Sequence, residues 1–182
     1  MKKRLFVAIS VPEKMVESFA HFQKTLSLTE LRWTETENHH LTLAFLGYVD
    51  TTNVNKVVSE LEKIAALTKT FQLEFQRISL APPNVIPRMI WAKFALNDTY
   101  SNLVDQIFAS VESYTTEQSR VEKIPHITLA RFREDSQVEG ISLVQPVVVP
   151  RTIEVTNFSL FESILSSDKS TYLELSSFKM QG

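Results

Sequence analysis

Apolar residues along this chain switch between two periods, and the switches predict its elements. Leu5 to Ile9 is a short apolar run with β-branched content, which predicts a buried strand. Ser10, Pro12 and Glu13 follow as helix-start signals, and Met15, Phe19 and Phe22 recur at helical spacing, predicting a helix from Pro12 to about Leu26. Leu31 to Trp33 reads as a short strand and His39 to Tyr48 as a longer one, closed by Gly47. Asp50-Thr51-Thr52 opens a second helix, with Val54, Val57, Leu61, Ile64 and Leu67 on one face. Alternation of Phe71, Leu73 and Phe75 predicts a strand to Leu80, and Pro82-Pro83-Asn84 a turn. A strand from Arg88 to Leu96 precedes a third helix, capped by Asn97 or Asp98 and carrying Leu103, Ile107 and Val111. Ile124 to Phe132 is a further strand, and Glu134 to Val149 is loop-like with a short helical turn. Arg151 to Phe161 and Thr171 to Phe178 close the chain as strands.

This order contains a repeat. Strand, helix, strand runs through Leu5–Ile9, Pro12–Leu26 and His40–Tyr48, then again through Met89–Leu96, Asp98–Tyr114 and His126–Phe132. The strands after each unit, Phe71–Leu80 and Ile153–Phe161, also correspond loosely. No Pro/Gly-rich linker separates the halves. The expectation is a single domain over residues 1–182, built from two similar, interleaved α+β lobes related by a pseudo-twofold axis.

Each unit ends in the same pentad: His40-Leu41-Thr42-Leu43-Ala44 and His126-Ile127-Thr128-Leu129-Ala130. The chain has 4 histidines, and two of them open these pentads. Residues i and i+2 of a strand share a face, so His40 projects with Thr42, and His126 with Thr128. The intervening Leu41, Leu43, Ile127 and Leu129 point into a core. Two such strands sharing a cleft bring together two imidazoles and two hydroxyls. Imidazole titrates near neutral pH, so one ring can act as base while its twin acts as acid. Threonine hydroxyls can donate to anionic oxygens. In-line displacement at phosphorus uses this set: a base on the attacking oxygen, an acid on the leaving oxygen, and donors on the others.

At these residues the chain resembles the 2H phosphoesterases, a family named for two H-x-T motifs. Within it the similarity is to the bacterial RNA 2′,3′-cyclic phosphodiesterase branch, also called 2′–5′ RNA ligase. Arg32-Trp33, the run from His40 to Phe45-Leu46-Gly47, Pro125 with His126 to Arg131, Arg4 to Ile9 and Arg88 to Trp91 all carry it. Ile124 departs from the pattern, an aromatic being commoner there. The resemblance implies a bilobal α+β fold in which two largely antiparallel sheets line a central cleft with helices outside. It also implies hydrolysis of RNA or oligonucleotide 2′,3′-cyclic phosphate ends to 2′-phosphomonoesters, with reversible 2′–5′ ligation at the same site. His40 is then the proton donor and His126 the proton acceptor; the near-symmetric sequence does not decide that polarity. Thr42, Thr128 and Arg131 would hold the phosphate. Strict alternation puts Arg131 on the face opposite His126, so its role requires a bend or bulge. Two rival readings are a non-enzymatic module binding RNA ends and a phosphodiesterase for a small nucleotide such as ADP-ribose 1″,2″-cyclic phosphate.

Composition narrows the setting. With 182 residues and 43% hydrophobic content the chain can bury a core. A net charge of −2 gives no global attraction to nucleic acid, so RNA contact needs a local basic patch, for which Arg88, Lys93, Arg120 and Lys123 are candidates. Absence of cysteine excludes disulfides and thiolate metal sites. There is no P-loop, G-x-S-x-G or H-E-x-x-H. Zinc through His39, His40 and His126 is disfavoured because adjacent strand residues diverge. His39 reads as a partly buried polar residue, His21 as surface, and Trp33, Phe45 and Trp91 as core, with one of them or Phe6 able to flank a base. No window reaches transmembrane length. The expectation is a cytoplasmic monomer that needs no metal or other cofactor.

Overall fold

A computed structural model of the protein describes residues 1–26, 31–115, 123–133, 143, 148–165 and 170–182. The strands are β1 (Lys2–Ser10), β2 (Leu31–Trp33), β3 (His40–Asp50), β4 (Phe71–Ala81), β5 (Met89–Phe94), β6 (His126–Phe132), β7 (Thr152–Val155), β8 (Asn157–Leu165) and β9 (Ser170–Lys179). The helices are α1 (Glu13–Thr25), α2 (Val54–Leu67) and α3 (Asp98–Val111). Among the described residues the strands run β7-β4-β5-β6-β3-β1-β8-β9, with β2 added on β6, and the named pairings are antiparallel. One lobe holds β3, β1, β8 and β9; the other holds β6, β5, β4 and β7. The two expected sheets are joined edge to edge where Leu41 of β3 meets Ile127 of β6.

The chain crosses between lobes repeatedly. β4 follows the first motif but pairs with β5 in the second-motif lobe, while β8 follows the second motif but pairs with β1. The single strand expected from Arg151 to Phe161 is broken at Thr156, because β7 bonds to β4 and β8 to β1. Alternation continues through such a crossover, so periodicity could not show it. Most of the Glu134 to Val149 stretch, and Arg120, lie outside the described residues.

The helices are exchanged as well. α1 leaves β1 and sets Phe19 6.3 Å from Phe75 and Phe22 6.3 Å from Trp33, both in the second-motif lobe. α3 leaves β5 and packs on β3. Its start is fixed by the Asn97 side chain, which accepts from the Tyr100 amide at 2.9 Å. Met15, Phe19, Phe22, Leu61, Tyr100 and Ile107 are buried with Leu41, Leu43, Ile127 and Leu129 in one apolar cluster. Each such side chain contributes about 1.5–3 kcal/mol by leaving water, which favours one sheet face against the helices over two separate lobes.

Two β-bulges decide what reaches the other face. On β3, Thr42 pairs with Ala8 and Ala44 with Val7, leaving Leu43 as an extra residue. On β6, Thr128 pairs with Trp91 and Ala130 with Ile90, leaving Leu129 extra. An extra residue advances the side-chain alternation by one step. Phe45 and Arg131 therefore return to the face of the motif histidines and are exposed, while Ala44 and Ala130 are buried. A second extra residue, Leu46, precedes Gly47, whose φ of 64° suits glycine.

Candidate active site

The site forms where the two motif strands meet. In the antiparallel register set by Leu41 and Ile127, His40 stands across from Thr128, and Thr42 across from His126. Cross-strand neighbours lie about 5 Å apart at Cβ, so two imidazoles and two hydroxyls surround the pseudo-twofold axis.

Both rings are held in the same way. His40 Nδ1 lies 2.7 Å from the carbonyl of Asn38, and His126 Nδ1 lies 2.7 Å from the carbonyl of Ile124. A carbonyl only accepts, so each Nδ1 donates, and each neutral ring keeps its lone pair on Nε2. Burial lowers the pKa of both imidazoles, that of His126 to about 4. The opposing carbonyls act in the other direction, favouring the charged rings. Arg131 lowers both further through its charge, and His126 also feels His40 and Lys93. An anion entering the site would reverse much of this, since it favours imidazolium.

The surroundings of the two rings differ. The His126 ring stacks on Trp91, with centroids 3.7 Å apart and planes 17° from parallel. His40 is flanked by Phe6 at 5.0 Å and by Tyr172 at 5.2 Å, edge-on. Phe6 in turn stacks on Phe161 at 5.2 Å and lies 6.2 Å from Phe45. A groove of about 410 Å³ opens on the His40 side, lined among others by Phe6, Ser10, Glu13, Glu37 and Tyr172. The first motif strand is braced from behind: Tyr100 of α3 donates its hydroxyl to the Thr42 carbonyl at 2.9 Å, directly before the bulge.

His40, Thr42, His126, Thr128 and Arg131 are thus brought to one face. Arg131 Nη1 donates to a soft acceptor, Met89 Sδ, at 3.0 Å. His39 faces the core, buried against Phe19, with its pKa lowered to about 4, chiefly by desolvation. Trp33 is partly buried beside Phe22, whereas Phe45 is 48% exposed on the site's face rather than in the core. Trp91 is buried beneath His126. Of the basic residues expected to form a rim, Lys123 pairs instead with Asp105. Tyr172 and Phe161 carry no signal in the sequence, because their strands reach β1 from more than a hundred residues away. Among the described residues no group of three or more His, Asp or Glu side chains converges as a metal site, and no helix is long and apolar enough to cross a membrane.

A two-lobed α+β fold that presents two H-x-T strands on one face defines the class of paired-histidine phosphoesterases. The model of the LigT-like phosphoesterase family matches residues 7–91, a span that includes the first pentad and Trp91. An RNA 2′,3′-cyclic phosphodiesterase of Archaeoglobus fulgidus is 25% identical over 97% of this chain and 99% of its own length. The protein of the same name from Aquifex aeolicus is 22% identical, with 98% of each chain covered. Among solved structures, a Thermus thermophilus protein, TT0787, superimposes with a TM-score of 0.81 at 23% identity, covering 98% of both chains. Escherichia coli LigT complexed with 3′-AMP gives 0.80 at 22% identity, covering 100% of both. The chain is thus similar to the LigT-like phosphoesterases over residues 7–91 and to RNA 2′,3′-cyclic phosphodiesterases over nearly its whole length.

Proposed function

We propose that this protein hydrolyses RNA 2′,3′-cyclic phosphate ends to 2′-phosphomonoesters by acid–base catalysis between its two imidazoles. The carrying observation is the matched pair: each ring donates Nδ1 to the carbonyl two residues earlier and keeps Nε2 for the substrate. The names of the full-length relatives support the same substrate.

In this scheme His126 Nε2 takes a proton from water as the water oxygen bonds to phosphorus. His40 Nε2 delivers a proton to the departing 3′ oxygen as its bond to phosphorus breaks. The cationic neighbours of His126, Arg131 and Lys93, favour its neutral form and so suit it to the base role. The incoming phosphate anion favours a proton on His40. Thr42 and Thr128 donate to the remaining phosphoryl oxygens, and Arg131 adds its charge. The same steps with a 5′-hydroxyl in place of water as the attacking group form a 2′–5′ linkage, and their reversal, with the 3′-hydroxyl attacking phosphorus and the 5′ oxygen leaving, restores the cyclic phosphate. The residues of the site suffice for these proton transfers.

The test is a short RNA ending in a 2′,3′-cyclic phosphate, incubated with the protein and EDTA, with the product phosphate mapped. Formation of the 2′-phosphate supports the scheme. Tight binding without product would indicate an RNA-end binding module. Turnover of ADP-ribose 1″,2″-cyclic phosphate but not RNA would indicate a small-nucleotide enzyme.

A further inference from the structure

The two motif histidines rest on different aromatic surfaces. Trp91 of β5 is in register with Thr128 and stands two residues before Lys93, the register partner of His126, so its indole shares the histidine face. The indole and the His126 ring lie face to face, with centroids 3.7 Å apart and planes 17° from parallel. The aromatic neighbours of His40 are set differently: Phe6 at 5.0 Å is tilted by 42°, and Tyr172 at 5.2 Å meets the ring edge-on.

Filling space does not account for an indole at this position. Trp91 is 3% exposed, and its Nε1 is buried without a hydrogen-bond partner among the described residues. A buried N–H that lacks an acceptor costs stability, and phenylalanine or leucine would avoid that cost. What indole offers over either is the strongest π face for a cation.

The cation in question is His126 itself once it has taken a proton. Burial is the largest cause that lowers its pKa, and the charges of His40 on β3, Arg131 on β6 and Lys93 on β5 lower it further. Arg32 of β2 and Arg77 of β4, the register partners of Arg131 and Lys93, add positive charge on that side. Of the neighbours that act on the ring, the Ile124 carbonyl favours the proton. A carboxylate would favour it more strongly but would also repel the phosphate. A π face carries no net charge, so it stabilises imidazolium without repelling an anionic substrate.

We propose that Trp91 is a positioning residue that sets the proton affinity of His126, its π face stabilising the imidazolium formed when water gives up its proton. This rests on the acid–base reading of the site and deepens it, because the ring that gains charge as water attacks is the one seated on the indole. Trp91 itself exchanges no proton or electron pair with the substrate.

The experiment follows the ring titrations of His126 and His40 by NMR, in the free protein and with inorganic phosphate, for wild type, Trp91→Phe, Trp91→Leu and Trp33→Phe. In parallel, kcat/KM for a cyclic-phosphate RNA is measured against pH. The His126 pKa should fall in the order wild type, Trp91→Phe, Trp91→Leu, by about one unit in the last. The acidic limb of kcat/KM should move down with it, and His40 should move less. Trp33, whose ring meets Phe22 of α1, is the control, and Trp33→Phe should leave the His126 titration unchanged. If Trp91 only covered the ring, the smaller leucine would admit water and the His126 pKa would rise towards the ordinary imidazole value. A rise, or no change in both Trp91 variants, overturns the proposal. Should Trp91→Leu fail to fold, the sign of the shift in Trp91→Phe decides. The titrations need no turnover, so absence of RNA hydrolysis would sink the acid–base reading while they still decide what Trp91 does to His126.

Discussion

The two lobes present the same pentad with the same burial sequence, the same Nδ1-to-carbonyl bond and the same bulge after the threonine. Beyond that they diverge. His40 sits among Phe6, Tyr172 and a groove with carboxylates at its rim; His126 rests on Trp91, with Lys93 as its register partner and the charges of Arg131 and Lys93 acting on it. The lesson is that the two lobes share what holds a ring and a hydroxyl in place and differ in the walls around them. Equal chemistry on both sides suits a reaction needing one acid and one base. Unequal walls suit a substrate whose two ends differ, one aromatic and one anionic.

The comparison can be broken first at the imidazoles. His40→Ala and His126→Ala should each lower turnover of a cyclic-phosphate RNA by at least about 10²-fold. Near-normal turnover in either variant would end the paired-imidazole scheme. Next come the hydroxyls: Thr42→Ala and Thr128→Ala should each cost about 10²-fold in kcat. Similar losses would mean that the phosphate straddles the pseudo-twofold axis, and a loss confined to one would place it within a single lobe. Smaller again is the brace behind the first motif. Tyr100→Phe leaves the Thr42 carbonyl without its donor, and removing such a bond should destabilise the fold by about 1 kcal/mol, readable as a lower melting temperature.

The subtlest effect concerns pH. Burial lowers the pKa values of both motif histidines, that of His126 to about 4. A base must be neutral and an acid protonated. The acidic limb of kcat/KM should therefore fall only as pH drops through about 4, and the alkaline limb should fall below the ordinary imidazole value. Bound phosphate favours imidazolium, so adding inorganic phosphate should move the His126 ring titration, followed by NMR, upward. A downward shift or none would mean that the anion does not reach the ring.

Much of the fold was legible because its signals are local. Helical spacing of Met15, Phe19 and Phe22 predicted α1, the caps near Asp50 and Asn97 predicted where α2 and α3 begin, and the doubled pentad predicted two equivalent strands. Arg131 shows where local signals stop. Alternation alone puts it on the wrong face, and the correction lies in a bulge at Leu129 that appears only when β6 is laid beside β5. Thr156, where one expected strand becomes two in different lobes, is a second case.

The sequence by itself determined which groups could do chemistry here. Two imidazoles and two hydroxyls at a spacing of two must project together from a strand, whatever the rest of the chain does, because the pleat has period two. It also determined the repeat that makes the groups a pair. The tertiary structure decided what surrounds the pair: which residues lie beside each ring and on which face Arg131 emerges. Those depend on strand order and register between segments far apart in the chain, and a shift of one residue in register exchanges the two faces of a strand.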